Sequence, residues 1–222
     1  LQISAVYEND QCRLPREMSE LLFQNNAETR RVLDGLEHIE ELLHSESNYQ
    51  PVSVRELLES LPDRMQHIFE YCLQRRIQLN FPTLNRDAKL SLDRERFLLA
   101  LEELVVNAAK YSPDGGTVDI FAGLGHERFR IGLKNEVREP MKGEQGELER
   151  LVLEPFFRYN PPVSGVGGVE KFGMGLGLAV VNHVVLAHGG SFQLRDAQDH
   201  TGDQVMNSVL AEIGLPLIGE QS

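Results

Sequence analysis

Met18, Leu22, Asn25, Thr29, Val32, Leu36, Ile39 and Leu43 recur at alternating spacings of four and three, a heptad seam with polar steps at Asn25 and Thr29. The pattern predicts one long amphipathic helix. Such a helix cannot bury its stripe alone, so it needs either the rest of the chain or a second copy of itself. Asn48-Tyr49-Gln50-Pro51 interrupts the pattern. Ser53-Val54-Arg55-Glu56 then has the form of a capping box and predicts a helix running toward Arg76, kinked or split at Pro62.

Beyond that point the period changes. Ile77 to Phe81 and Ala88 to Ser91 read as short strands. Asp93 is placed to cap a helix whose Phe97, Leu101, Leu104, Val105 and Ala108 share one face, and Pro113-Asp114-Gly115-Gly116 ends it in a turn. Strands are predicted over Thr117 to Ala122 and Arg128 to Leu133; in the second, Phe129, Ile131 and Leu133 alternate as a half-buried strand requires. Glu136 to Phe172 is mostly irregular, with one short helical segment at Glu147 to Val152, and a stretch of that length suggests a functional lid or a disordered segment. Gly175 to His188 reads as a helix stopped by Gly189-Gly190, followed by closing strands at Ser191 to Arg195 and Ser208 to Leu215. Intermixed helices and strands with adjacent strand pairs predict an α+β, two-layer sandwich. The division is a helical dimerisation or linker segment over 1–50 and a sandwich domain over 51–222.

Composition narrows the function. The 222 residues are 41% hydrophobic, enough for a core without disulfide or metal staples. A net charge of -12 with no run of Lys or Arg beyond pairs such as Arg75-Arg76 argues against nucleic acid as a partner. Cys12 and Cys72 lack companions at metal-ligand spacing, and sparse cysteines fit a reducing compartment. No apolar stretch is long enough to predict a membrane span, so no membrane contact is expected of this segment.

Three segments carry candidate chemistry. Glu103, Asn107 and Lys110 stand at i, i+4 and i+7, a polar stripe away from the apolar face. By residue type alone, that stripe reads first as a solvated helix face. Gly173-Met174-Gly175-Leu176-Gly177-Leu178 runs into an apolar helix, where glycines let backbone approach a phosphate and the helix N-terminus offers N–H groups. It is not a Walker loop, having no Gly-Lys-Ser/Thr, and no strand leads directly into it as a dinucleotide fingerprint would require. Glu154-Pro155-Phe156-Phe157-Arg158 places paired aromatics in the lid region.

In that order the segments resemble the ATPase domain of sensor histidine kinases, of the gyrase/chaperone/histidine-kinase/mismatch-repair type. Leu104 to Ser112 is similar to its N box, Glu154 to Arg158 to its F box, and Gly173 to Leu178 to its second glycine box. His188-Gly189-Gly190 and a last strand reaching Leu215-Pro216 also match, so the resemblance covers roughly Val52 to Leu217. It implies a Bergerat fold, a mixed sheet with helices on one face, here preceded by the long helix. It implies ATP and Mg²⁺ as cofactors and transfer of the γ-phosphoryl group to a histidine, relayed to a response regulator, in a cytoplasmic homodimer joined through the N-terminal helix. Asn107 would hold the Mg²⁺, with Glu103 holding the metal or a water. Lys110 would meet phosphate and Tyr111 would lie near the nucleotide. The backbone of Gly173, Gly175, Leu176, Gly177 and Leu178 would cradle phosphates, with Phe157, Arg158 and Lys171 contributed by the lid.

Two departures stand out. The family's first glycine box begins with an Asp that receives the adenine amino group. Here Asn135 takes its position, and Glu136-Val137-Arg138-Glu139 replaces the glycines. An amide oxygen still accepts a hydrogen bond but carries no charge. None of the seven histidines fits the family's phospho-acceptor motif: Ile39 follows His38 and Ser45 follows His44. The acceptor is expected upstream of Leu1. The alternative is a non-catalytic signalling scaffold that keeps the fold around a degenerate nucleotide site.

Overall fold

A computed structural model describes residues 6–8, 11–13, 15–137, 150–157, 175–199 and 206–218. A hairpin of β1 (Val6–Glu8) and β2 (Gln11–Arg13), which no sequence signal predicts, precedes α1 (Arg16–His44). Helix α1 spans the whole heptad seam. Leu22 and Leu36 on that seam are exposed, whereas Ile39, near its end, packs against the core.

Strand β3 (Gln50–Ser53) lies where the sequence shows only a break. It pairs antiparallel with β5 (Lys89–Leu92), matching Val52 with Leu90. The Oγ of Ser53 accepts the Glu56 N–H at 3.1 Å, as the capping motif predicts. The helix then breaks at Pro62 into α2 (Val54–Glu59), α3 (Leu61–Arg64) and α4 (Gln66–Gln74). Proline has no N–H to donate, so it is tolerated only at the start of α3.

The main sheet has five strands in the order β4 (Gln78–Asn80), β6 (Thr117–Leu124), β7 (Arg128–Glu136), β9 (Met206–Pro216) and β8 (Ser191–Asp199). The β4–β6 pair is parallel and the others antiparallel, so the sheet is mixed. On β7, Phe129, Ile131 and Leu133 form one buried row, matched on β9 by Leu215, Ile213 and Ala211. Helices α5 (Arg94–Tyr111) and α6 (Gly177–Ala187) pack on that face and against each other. The opposite face of β7 carries the exposed Arg128 and Arg130. This is the two-layer α+β sandwich that the pattern predicts. No described helix is long and apolar enough to cross a membrane.

The link between α1 and the sandwich is specific. The Asp93 carboxylate accepts the Arg96 N–H at 3.2 Å as cap of α5, and the Asn48 N–H at 3.0 Å. The Arg96 guanidinium donates to the Ser45 carbonyl at 2.7 Å and to the Ser47 Oγ at 2.8 Å. The hydroxyl of Tyr49 donates to the Ala187 carbonyl at 2.8 Å. His188, buried behind these groups, accepts the Asp93 N–H on Nε2 at 3.0 Å and donates from Nδ1 to the Val184 carbonyl at 2.7 Å. The two partners fix a neutral tautomer. The segment leaving α1 is thereby tied to the first turn of α5 and the last turn of α6.

Candidate nucleotide site

Helix α5 is buried on more sides than its sequence suggests. Glu103 is 2% exposed and Lys110 is 5%, while Asn107 between them is half-buried. The reading of this stripe as a solvated face therefore fails. Charged side chains are buried only where other groups compensate them, so three polar residues along the inner side of a core helix mark a site.

What lies opposite is the start of α6. A β-carbon built on Gly177 would stand 2.7 Å from Glu103 Oε2 and 3.4 Å from Asn107 Nδ2. Only glycine leaves that space open, and the space lies directly before the side chains of the polar stripe. Gly175 adopts φ +80°, a left-handed conformation natural to glycine, just ahead of the helix. Leu176 is buried and its carbonyl accepts the Val180 N–H at 3.0 Å, so the first N–H groups of α6 lack partners within the helix. The glycine turn, Glu103 and Asn107 thus meet at one place.

Of the segment expected to form a lid, residues 150–157 are described. The Phe156 N–H donates to the Gly175 carbonyl at 3.2 Å, and Phe157 packs against the core. Phe156 itself has φ 68°, a left-handed conformation costly for an aromatic residue. Val152, the end of the helical segment expected over Glu147 to Val152, is buried. Arg158, Lys171 and Gly173 lie outside the described residues.

On the sheet, Asn135 extends the inward row of Phe129, Ile131 and Leu133 toward the end of β7, between Val118 of β6 and Val209 of β9. It is 6% exposed. Its Nδ2 donates to the Glu136 carbonyl at 3.1 Å, which leaves Oδ1 as an acceptor. At the C-terminal end of α5, the Lys110 ammonium lies 5.2 Å from the Tyr111 ring centroid. The last carbonyls of α5 are held by a residue with no distinctive sequence signal, Arg75. Its guanidinium donates to the carbonyls of Ala109 at 2.8 Å, Lys110 at 3.1 Å and Ser112 at 2.6 Å.

Glu103 and Asn107 suit a hard divalent cation: a carboxylate and an amide oxygen are ligand types that Mg²⁺ takes, usually alongside phosphate and water. The missing side chain at Gly177 keeps room in front of both. No group of three or more His, Cys, Asp or Glu side chains that could hold a metal occurs among the described residues. Glu103 and Asn107 alone would leave other coordination positions of such a cation open to phosphate and water.

Comparison with known proteins agrees with this geometry. Residues 92–212 match the family described as histidine kinase-, DNA gyrase B-, and HSP90-like ATPase. The sensor protein VanS of Enterococcus faecium is 29% identical over 115 residues, 52% of this chain and 28% of VanS. The sensor histidine kinase WalK of Bacillus subtilis is 30% identical over 125 residues, 55% of this chain and 19% of WalK. The chain therefore spans less than a third of the length of these relatives. Among solved structures, the mycobacterial sensor histidine kinase MprB aligns with TM-score 0.55 at 25% identity, over 77% of this chain and 98% of that one. Histidine kinase ThkA in complex with response regulator protein TrrA aligns with TM-score 0.66 at 19% identity, over 95% of this chain and 54% of that one, a likeness of fold. From the matched span and the meeting of its Asn-bearing helix with its glycine turn, the chain belongs to the histidine kinase-, DNA gyrase B- and HSP90-like ATPase family.

Proposed function

We propose that this chain is the ATP-binding catalytic region of a two-component sensor histidine kinase, with residues 51–222 as the catalytic domain and 1–50 as a helical segment that pairs with a second copy. The observation that carries the reading is the approach of Gly177 to Glu103 and Asn107, a space closed by any side chain at residue 177. In this reading the N-terminal backbone of α6 receives the phosphates, with Lys110 adding a positive charge. Asn107 and Glu103 would hold Mg²⁺, a cation that would supply positive charge against the phosphate oxygens. The protein's task is positioning and electrostatics: the γ-phosphoryl group leaves the β-phosphate oxygen and joins an imidazole nitrogen, and ADP departs.

The acceptor is a histidine other than the seven of this chain, carried by the dimer. The phosphoryl group then passes to an aspartate of a response regulator, in the cytoplasm. Support for the relay comes from the sensor kinases among the relatives and from the fold shared with ThkA, solved with its response regulator. The lid residues Arg158 and Lys171 would offset charge on the transferring group, and Gly173 would belong to the same cradle.

Calorimetric titration with ATP, with and without Mg²⁺, tests the reading alongside Asn107→Ala. Saturable binding that depends on Mg²⁺ and is lost in the variant is the expected result. No heat at millimolar ATP, with the protein folded, would overturn it and favour a scaffold with a disabled site.

A further inference from the structure

Arg75 lies one residue past α4, away from every segment that the sequence marks as functional. All its guanidinium nitrogens are engaged. Nε donates to the Asp114 carboxylate at 2.7 Å, and Nη1 to the Tyr71 hydroxyl at 2.9 Å as well as to the carbonyls of Ala109 and Lys110. Nη2 donates to the Ser112 carbonyl at 2.6 Å. Its own carbonyl accepts the Gly115 N–H at 2.9 Å. The side chain is about one-fifth exposed.

The last carbonyls of a helix have no partner within it, and they form the negative end of its dipole. A planar guanidinium can bridge several of them at once, whereas an ammonium acts as a point charge. Here the bridge spans the turn that carries Lys110 and Tyr111. Lys110 is buried, so its ammonium has little freedom to compensate for a shift of its own backbone.

We propose that Arg75 is a positioning residue for nucleotide binding, setting the backbone from Ala109 to Ser112 so that Lys110 faces the phosphates. This rests on the role proposed for Lys110 above. Asp114 and Tyr71 hold the guanidinium from its other sides, so the fork is oriented before ATP arrives.

The test is a double-mutant cycle on ATP·Mg²⁺ affinity by calorimetry, using Arg75→Gln, Lys110→Met and the double variant, with thermal melts of each. Arg75→Gln should weaken binding about tenfold, the scale of a lost charged hydrogen bond, yet add less than about twofold once Lys110 is gone. Arg75→Lys, which keeps the charge, should not restore affinity, and it provides the same cycle if Arg75→Gln fails to fold. Equal losses in both backgrounds would mean that Arg75 merely stabilises the fold, and would overturn the inference alone. Unchanged affinity in Lys110→Met would instead remove the role of Lys110 in the site, and the inference with it.

Discussion

Gly177 stands against Glu103 so closely that a single methyl group would reach within 2.7 Å of the carboxylate oxygen. The contact joins the two helices that carry the candidate chemistry. It makes a substitution at the glycine a probe of the site rather than of the fold. Alanine is the better helix former by about 1 kcal/mol. The opposing atom is the end of a flexible side chain, so Glu103 can swing aside without moving backbone. Gly177→Ala is therefore expected to leave the melting temperature within a few degrees of the parent, since about 1 kcal/mol corresponds to roughly that shift. ATP affinity should fall about tenfold or more, because the displaced carboxylate and the methyl group both enter the phosphate space. Melting and calorimetry on the same sample check both. Unchanged affinity would place the phosphates elsewhere.

Arg76 offers a prediction about stability alone. It follows α4 with φ 56°, where the Ile77 N–H reaches the Cys72 carbonyl at 2.8 Å and the Arg76 N–H reaches Leu73 at 3.1 Å. That is a helix stop built on a left-handed residue, a position where glycine is at ease and an arginine is not. Arg76→Gly should stabilise the chain by about 1 kcal/mol in a denaturant melt. A loss of stability would show that the Arg76 side chain contributes more than its backbone costs.

The elements were legible wherever local chemistry decides them. The Ser53 and Asp93 caps, the split at Pro62 and the alternation of Phe129, Ile131 and Leu133 all act over a few residues, and each appears where its pattern places it. The site was legible as a set of segments, because the Asn-bearing stripe and the glycine turn have their own spacing. Partnerships across the chain were not. Strand β3 exists because β5 is its neighbour, and nothing in Gln50-Pro51-Val52-Ser53 announces that pairing. Arg75 stood out in the sequence only as half of a pair of cations, since the carbonyls that it binds lie 34 to 37 residues away. Burial of Glu103 also depends on α6 closing over α5, which the period of α5 alone cannot reveal.

Asp87 supplies a dependence on pH. Its carboxylate accepts the Arg55 N–H at 3.0 Å, the Ser53 hydroxyl at 2.9 Å and the Ala88 N–H at 2.8 Å. The Arg55 N–H above all, with Ser53 and Ala88, holds it below the usual aspartate range. A carboxyl with a lower pKa folded than unfolded stabilises the fold fully above the unfolded value of about 4. That contribution disappears as pH falls through the folded value. Asp87→Ala should thus be less stable than the parent at pH 7, by about 1 kcal/mol on the scale of a lost helix cap. The gap between the two should narrow below about pH 4. Melts from pH 7 to pH 3 check it, and a gap that stays constant across that range would remove the electrostatic part.

Asn135 sets the last prediction, because the resemblance read from the sequence expects it in place of a charged acceptor for the adenine amino group. Its Nδ2 donates to the Glu136 carbonyl, which leaves Oδ1 to accept. Replacing it by aspartate has two opposed consequences. A carboxylate accepts a stronger hydrogen bond than an amide oxygen, by about 1 kcal/mol, which is about fivefold in affinity for a donor such as the adenine amino group. The same charge at a position 6% exposed is poorly solvated, and it forfeits the donor now given to the Glu136 carbonyl. Asn135→Asp should therefore lower the melting temperature of the free protein and tighten ATP, with the gain confined to purine nucleotides that carry the amino group at C6, which GTP lacks. Calorimetry with ATP and GTP, beside a melt without nucleotide, separates the two effects. Equal changes for both nucleotides would mean that residue 135 shapes the pocket without reading the base, and no change at all would take Asn135 out of the site.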